Sequence, residues 1–281
     1  MTDPAPRLFC VPASRAPVLA VIRRGPSDWS HLGAWDPARN AYTPGAWIHA
    51  HLYAQRSDLS PDGRWFASFT LKPSARWDVG ATYVAISRLP WLTALAAWST
   101  CGTWTRGIHF VEDREVWQVS EPEEGDITPC RRAFGLAVTR AASFQVERRR
   151  GWTETAGSPP FTAADPWEIQ RGGGVRVEKP RPGSGGATRL VAGGGFAAFR
   201  ESREWWKGAI AYALVDGDAT VPLADVQWAD WDATGRLLVA TRDGRLQVRE
   251  GAGGRLAVAW EIDLAPLRPE PTAPPAEAQQ W

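Results

Sequence analysis

The chain is short of cysteine, lysine, histidine and net charge, and each shortage closes off a class of function. Its 281 residues include 3 Cys, 4 His and a formal net charge of +1. Cys10, Cys101 and Cys130 are odd in number and lack metal-type spacing, which fits reduced thiols and not a disulfide framework. Lysine occurs only at Lys72, Lys179 and Lys207, so the basic residues are nearly all Arg. Together with the abundance of Ala, Gly and Pro, that skew reads as nucleotide bias, because a phosphate site needs clustering as well as Arg identity. The near-zero charge supplies no field to gather nucleic acid or an anionic membrane. No apolar run approaches a membrane span, and Pro17–Ile22 is too short for a signal-peptide core, so a cytoplasmic location is expected. The glycine runs at Gly172–Val175 and Gly193–Phe196 lack the Lys and Ser/Thr of a phosphate loop, and no cofactor is expected.

What is abundant is turn and strand chemistry. Gly (27) and Pro (23) supply many turns, and 44% hydrophobic content is enough for a substantial core. One β-rich domain is expected over 1–265, loop-rich at 121–186, before a Pro/Ala-rich tail at 266–281 expected to be disordered. Strands are predicted at Pro17–Ile22, Ala46–Tyr53, Arg64–Leu71, Thr82–Ser87 and Leu92–Trp98, the last open also to a short helix. The middle is predicted to hold Phe134–Thr139, Phe144–Glu147 and Val175–Glu178. Beyond it come Thr188–Ala192, Ala209–Val215, Val226–Trp231, Leu237–Thr241, Leu246–Arg249 and Leu256–Ile262. Alternation along the first group is incomplete, as in strands covered on both faces.

One motif occurs twice. Asp58-Leu-Ser-Pro-Asp-Gly63-Arg-Trp-Phe-Ala67 and Asp230-Trp-Asp-Ala-Thr-Gly235-Arg-Leu-Leu-Val239 each read as a strand end, a Gly-closed turn and a new apolar strand. After the second copy, Asp243-Gly244 between apolar strands predicts a type I′ hairpin, with positive φ at both residues. Residues 226–250 therefore read as three antiparallel strands. Asp58 and Asp62, and likewise Asp230 and Asp232, are read as paired turn-capping carboxylates, with Gly63, Gly235 and Gly244 as the turn glycines.

This strand, Gly-turn, strand, Asp-Gly, strand order resembles a blade of a WD40-like or TolB-like β-propeller. Arg249-Glu250 stands where a WD40 blade ends in Trp-Asp, and no Gly-His pair opens a blade. The two copies lie 172 residues apart, close to four periods of ~40–45 residues per blade. The resemblance implies an all-β, propeller-like array of about five to six degenerate antiparallel meanders, with a β-sandwich as the alternative. A second stretch, Tyr83–Trp98 followed by Cys101-Gly-Thr-Trp104, is similar to a segment of uncharacterised bacterial proteins, a resemblance that carries no activity.

The compositional outlier is 17 Trp against 4 Tyr and 9 Phe. Trp serves both cores and recognition surfaces. Trp47, Trp65, Trp98, Trp117, Trp228 and Trp260 lie in apolar strand contexts, whereas Trp29, Trp35, Trp104, Trp205 and Trp206 lie in polar or loop-like ones and are the candidate binding residues. His49 and His51 stand two apart, on one face if the segment is a strand, and are the candidate metal ligands, with Asp58 or His109 as a third. Cys101 with His109 lacks a third orienting group and a nucleophile motif. No catalytic residue is assigned. The leading reading is a non-catalytic interaction or scaffold module holding a protein partner in a bacterial cytoplasmic assembly. Next comes a small-molecule or carbohydrate-binding protein or metal-dependent hydrolase using His49, His51 and exposed Trp. A nucleic-acid-associated propeller using Arg148–Arg150 and Trp152 ranks last.

Overall fold

The computed structural model describes residues 5–25, 28–72, 79–100, 102, 107–119, 127–139, 149–155, 175–194 and 210–281. The chain is all-β and divides into two compact units. The first joins residues 1–140 to 266–281, and the second is 141–265. Among the described residues no helix is long and apolar enough to cross a membrane.

In the first unit, β1 (Arg7–Pro12), β2 (Leu19–Arg24), β3 (Trp29–Asp36) and β4 (Ala41–His49) form an antiparallel meander. A second sheet follows from β5 (His51–Leu52), β6 (Asp58–Leu59), β7 (Trp65–Leu71), β8 (Thr82–Arg88) and β9 (Ala96–Ser99), with β5 and β6 both pairing on β7. The third sheet is β10 (Ile108–Glu112), β11 (Glu115–Val119) and β12 (Gly135–Thr139). Its β11–β12 pair is parallel, since the chain returns through the one-turn helix α1 (Thr128–Ala133) instead of a tight turn.

In the second unit, β13 (Thr153–Glu154), β14 (Val175–Pro180), β15 (Thr188–Gly194), β16 (Ala211–Asp216) and β17 (Ala219–Pro222) form the fourth sheet. β18 (Val226–Trp231), β19 (Leu237–Thr241), β20 (Arg245–Ala252) and β21 (Arg255–Asp263) form the fifth.

Within each unit, successive sheets pack face to face. Val11, Ala20, Ile22 and Leu32 of the first sheet meet Leu52, Leu59 and Phe66 of the second. From the other face of β7, Trp65, Ala67 and Phe69 pack with Val84, Ile86 and Trp98 against Ile108, Phe110 and Val116. Both faces of β7 are thus buried, which is why its sequence does not alternate. In the second unit, Leu190, Tyr212 and Leu214 face Val226, Trp231, Leu237 and Val239. Each such large side chain contributes about 1.5–3 kcal/mol of hydrophobic stabilisation on full burial.

Three departures from the sequence reading follow from packing. β1, β3, β10, β11, β13 and β17 were not predicted, and Leu92–Trp98 yields only the strand β9, without a helix. The predicted strand at 144–147 lies outside the described residues. Residues 266–281, expected to be disordered, are placed on the first unit: Arg23 donates to the Leu267 carbonyl at 3.1 Å, and a 3₁₀ turn at Ala276–Gln279 buries Ala278. Composition identified the prolines, but a few apolar side chains with receptors on the folded unit suffice to hold the segment. The duplicated turn joins β6 to β7 in the second sheet and β18 to β19 in the fifth, three sheets on among the described residues, at roughly 57 residues per step.

Candidate functional site

The two turns match in backbone and differ in capping atoms. In the first copy Ser60 Oγ accepts the N–H groups of Arg64 and Trp65 at 3.1 and 2.9 Å. Asp62 accepts from Arg64 N–H and from the Ser60 hydroxyl. In the second copy Asp232 Oδ1 accepts the N–H groups of Thr234 and Arg236, both at 2.9 Å. Asp232 therefore replaces Ser60, and Thr234 stands where Asp62 does, so the pairing of Asp62 with Asp232 read from the sequence is two positions out. Gly63 and Gly235 close these turns at φ 75° and 83°, where a Cβ is costly.

Asp58 and Asp230 do not cap these turns. Both are buried, Asp58 opening β6 and Asp230 near the end of β18, and both reach a neighbouring sheet. Asp58 accepts its own neighbour Leu59 N–H and, through Oδ2, Phe110 N–H of β10 at 2.8 Å. Asp230 accepts Trp231 N–H and the Lys179 ammonium of β14, both at 2.7 Å. Burial pushes the Asp230 carboxyl upward against the pull of Lys179. These carboxylates tie sheets together.

The Asp243-Gly244 turn also differs from expectation. Only Gly244 has positive φ, and its N–H bonds Thr241 O at 3.1 Å. The Asp243 carboxylate takes the Thr241 hydroxyl and Arg245 Nε, which secures a type I-like turn with a Gly bulge in place of type I′.

His49 and His51 do not share a strand face. The chain bends at buried Ala50, whose carbonyl accepts Ser30 Oγ at 2.7 Å, so His49 ends the first sheet and His51 begins the second. His49 lies against Trp29, its cross-strand partner, at 5.2 Å between ring centroids. His51 stacks on Tyr53 at 4.2 Å and 6°, and its Nε2 accepts from the Arg24 guanidinium. Arg56 lies 5.1 Å over the Tyr53 ring and 5.5 Å from that of Phe69. Among the described residues no group of three His, Cys, Asp or Glu is placed to hold a metal ion. What the bend assembles is a half-buried cluster of two guanidinium groups, an imidazole and a phenol, Arg24, His51, Tyr53 and Arg56, whereas Trp29 and the exposed His49 lie on the other face of the first sheet, with His31.

Of the other candidates, Trp35 is fully buried on β3 and offers no binding surface. Trp152 is a core residue of the second unit and is not available to stack on a base. Trp104, Trp205, Trp206, Cys101 and Arg148 lie outside the described residues. Among the predicted core tryptophans, Trp65, Trp98 and Trp228 are buried, while Trp47, Trp117 and Trp260 are half-buried.

Sequence reasoning missed a buried polar row across the first sheet. Arg23, His31 and Trp47 lie side by side on β2, β3 and β4. Arg23 donates to Gly25 O at 3.0 Å and to Leu267 O, with its Cζ 5.2 Å from the Trp47 ring. His31 Nε2 accepts Gly45 N–H at 3.2 Å, so Nδ1 carries the proton and faces the Tyr42 hydroxyl at 3.3 Å. Burial, and then Arg23, lower the His31 pKa to about 4, leaving a neutral ring. Burial pushes Tyr42 and the Cys10 thiol up, and takes the Cys130 thiol to about 12, so both thiols are held away from the reactive thiolate. The period-two reading of β2, which puts Arg23 on the Leu19 and Val21 face, was the signal available in the sequence.

No family model matches the chain, and no curated protein matches it.

Proposed function

We propose that the chain is a propeller-like interaction module that holds a protein partner, within a bacterial cytoplasmic assembly, through the patch of Arg24, His51, Tyr53 and Arg56. The observation that carries this reading is the patch itself. Flat aromatic faces and guanidinium donors are gathered where one sheet hands over to the next, on connecting segments held by a rigid frame. Such side chains are the ones that dominate protein–protein recognition. Support for the propeller reading comes from four antiparallel, meander-like sheets, from face-to-face packing of neighbours inside each unit, and from the equivalent turns between β6 and β7 and between β18 and β19. The chemistry of the patch fits an acidic partner segment.

The test is affinity capture from the native cytoplasm with the wild-type chain, an inert propeller and the Arg24→Ala, His51→Ala, Arg56→Ala triple variant. A stoichiometric partner retained by the wild type, reduced about tenfold in the variant and released by salt supports the reading. A partner retained equally by the triple variant, or no specific partner, overturns it.

A further inference from the structure

Residues 266–281 run along the first unit and bring Trp281 onto an aromatic seat. The Trp281 ring lies 5.2 Å from Phe134 at 67° and 5.7 Å from Trp65 at 51°. Trp65 and Phe134 themselves meet edge to face at 5.7 Å. Two guanidinium groups frame them: Arg88 and Arg114 lie 4.8 and 5.1 Å over the Trp65 ring, and Arg114 also lies 5.2 Å from Phe134. The floor is core, with Trp65 1% and Phe134 2% exposed, whereas the occupant Trp281 is 37% exposed.

The segment that delivers the indole is built for surface lodging. Pro266, Pro269, Pro271, Pro274 and Pro275 remove backbone donors, so the segment cannot be fastened as a strand. Pro275 has polyproline-type backbone angles, φ −68° and ψ 163°. Ala278 N–H bonds Pro275 O, and the Gln279 amide bonds Pro274 O, so these hydrogen bonds close within the segment itself. Docking of a proline-stiffened chain on an aromatic surface is a recognised mode of peptide binding, because little chain entropy is lost. Indole has the largest face for dispersion contact and the strongest response to a nearby guanidinium.

We propose that the Trp65–Phe134–Arg88–Arg114 seat is a recognition site for an indole side chain carried on an extended, proline-rich segment of a partner protein, with residues 266–281 its displaceable occupant in cis. The site is separate from the Arg24–Arg56 patch and stands without it.

The test uses the full chain carrying Trp281→Ala, which vacates the seat, and a fluorescent, amidated synthetic peptide of residues 266–281 as probe. Trp281→Ala is expected to bind this peptide at least about tenfold more tightly than the wild type, whose seat is filled. It should bind the same peptide with Ala in place of Trp about tenfold more weakly, and Arg114→Ala added to Trp281→Ala should weaken binding several-fold. Equal binding of the two peptides, or equal binding by wild type and Trp281→Ala, overturns the proposal. Should Trp281→Ala fail to fold, hydrogen exchange on the wild type with excess peptide decides. Faster exchange at 276–281 supports displacement, and unchanged exchange overturns it.

Discussion

Replacing Lys179 by Met should destabilise the second unit far more than the loss of one surface ion pair would. The Lys179 ammonium lies 2.7 Å from Asp230 Oδ1, with side-chain exposures of 15% and 5%. Exposed pairs contribute about 0–1 kcal/mol. A pair this dry behaves differently. At an effective dielectric constant of about 20, attraction over this distance is about 6 kcal/mol, and it offsets a desolvation cost of several kcal/mol per ion. Removing Lys179 abolishes the attraction and leaves the Asp230 carboxylate buried with the Trp231 N–H as its named donor. The expected loss is about 3–5 kcal/mol at pH 7. Asp230→Asn keeps an acceptor for Trp231 N–H and leaves the better-exposed Lys179 side chain nearer to water, so about 1–3 kcal/mol is expected. The double variant should lose at least about 1 kcal/mol less than the two losses added together.

The pH dependence carries its own sign. The folded-state pKa of Asp230 is raised by burial, so between the ordinary 3.8 and that raised value the folded chain holds a proton that the unfolded chain has released. Stability therefore falls as pH rises across this window. Without Lys179 the window extends upward, and the Lys179→Met loss should shrink as pH is lowered from 7 towards 4. Urea titrations followed by Trp fluorescence at several pH values measure both quantities. A loss below about 1 kcal/mol, or one that does not change with pH, would refute the buried-charge reasoning.

Two further predictions concern single residues. His31, with its pKa lowered from 6.5 to about 4, supports stability fully above pH 6.5 and loses up to about 3 kcal/mol as pH falls to 4. His31→Gln, which keeps an acceptor for Gly45 N–H, should flatten that part of the urea-midpoint profile relative to wild type. Gly63→Ala should cost about 2–4 kcal/mol, since it joins a positive φ to a Cβ lying 2.1 Å from Val18 Cγ1. Gly183→Ala, at φ 77° with nothing within 4 Å, should cost only about 1 kcal/mol of backbone strain, as read from thermal unfolding. Equal costs for the two would show that Val18 gives way freely.

The turns were legible because their chemistry is local. Gly63, Gly235 and Gly244 occupy positive φ for reasons contained in four or five residues. β7, β8, β18 and β19 were legible because long apolar runs between such turns leave few alternatives. β3 was not, since Trp-Ser-His-Leu-Gly-Ala-Trp-Asp reads as loop until β2 and β4 pair on either side and bury its polar members. The His49–His51 spacing misled for the same reason. A two-residue interval places imidazoles together only if the strand continues, and the bend at Ala50, pinned by Ser30, passes the chain to another sheet.

The sequence by itself determined an all-β chain, the placing of its tight turns, and the repetition of one strand-to-strand turn. Backbone preference and hydrophobic period act over a few residues and need no partner. Tertiary structure alone decided that Asp58 and Asp230 serve neighbouring sheets, that Arg23 and His31 lie inside, that Trp35 is core and Trp281 half-seated, and that Arg24, His51, Tyr53 and Arg56 meet. Each of these is a relation between residues far apart in the chain or divided between sheets. Burial and charge pairing depend on which faces come together, and no local pattern encodes that.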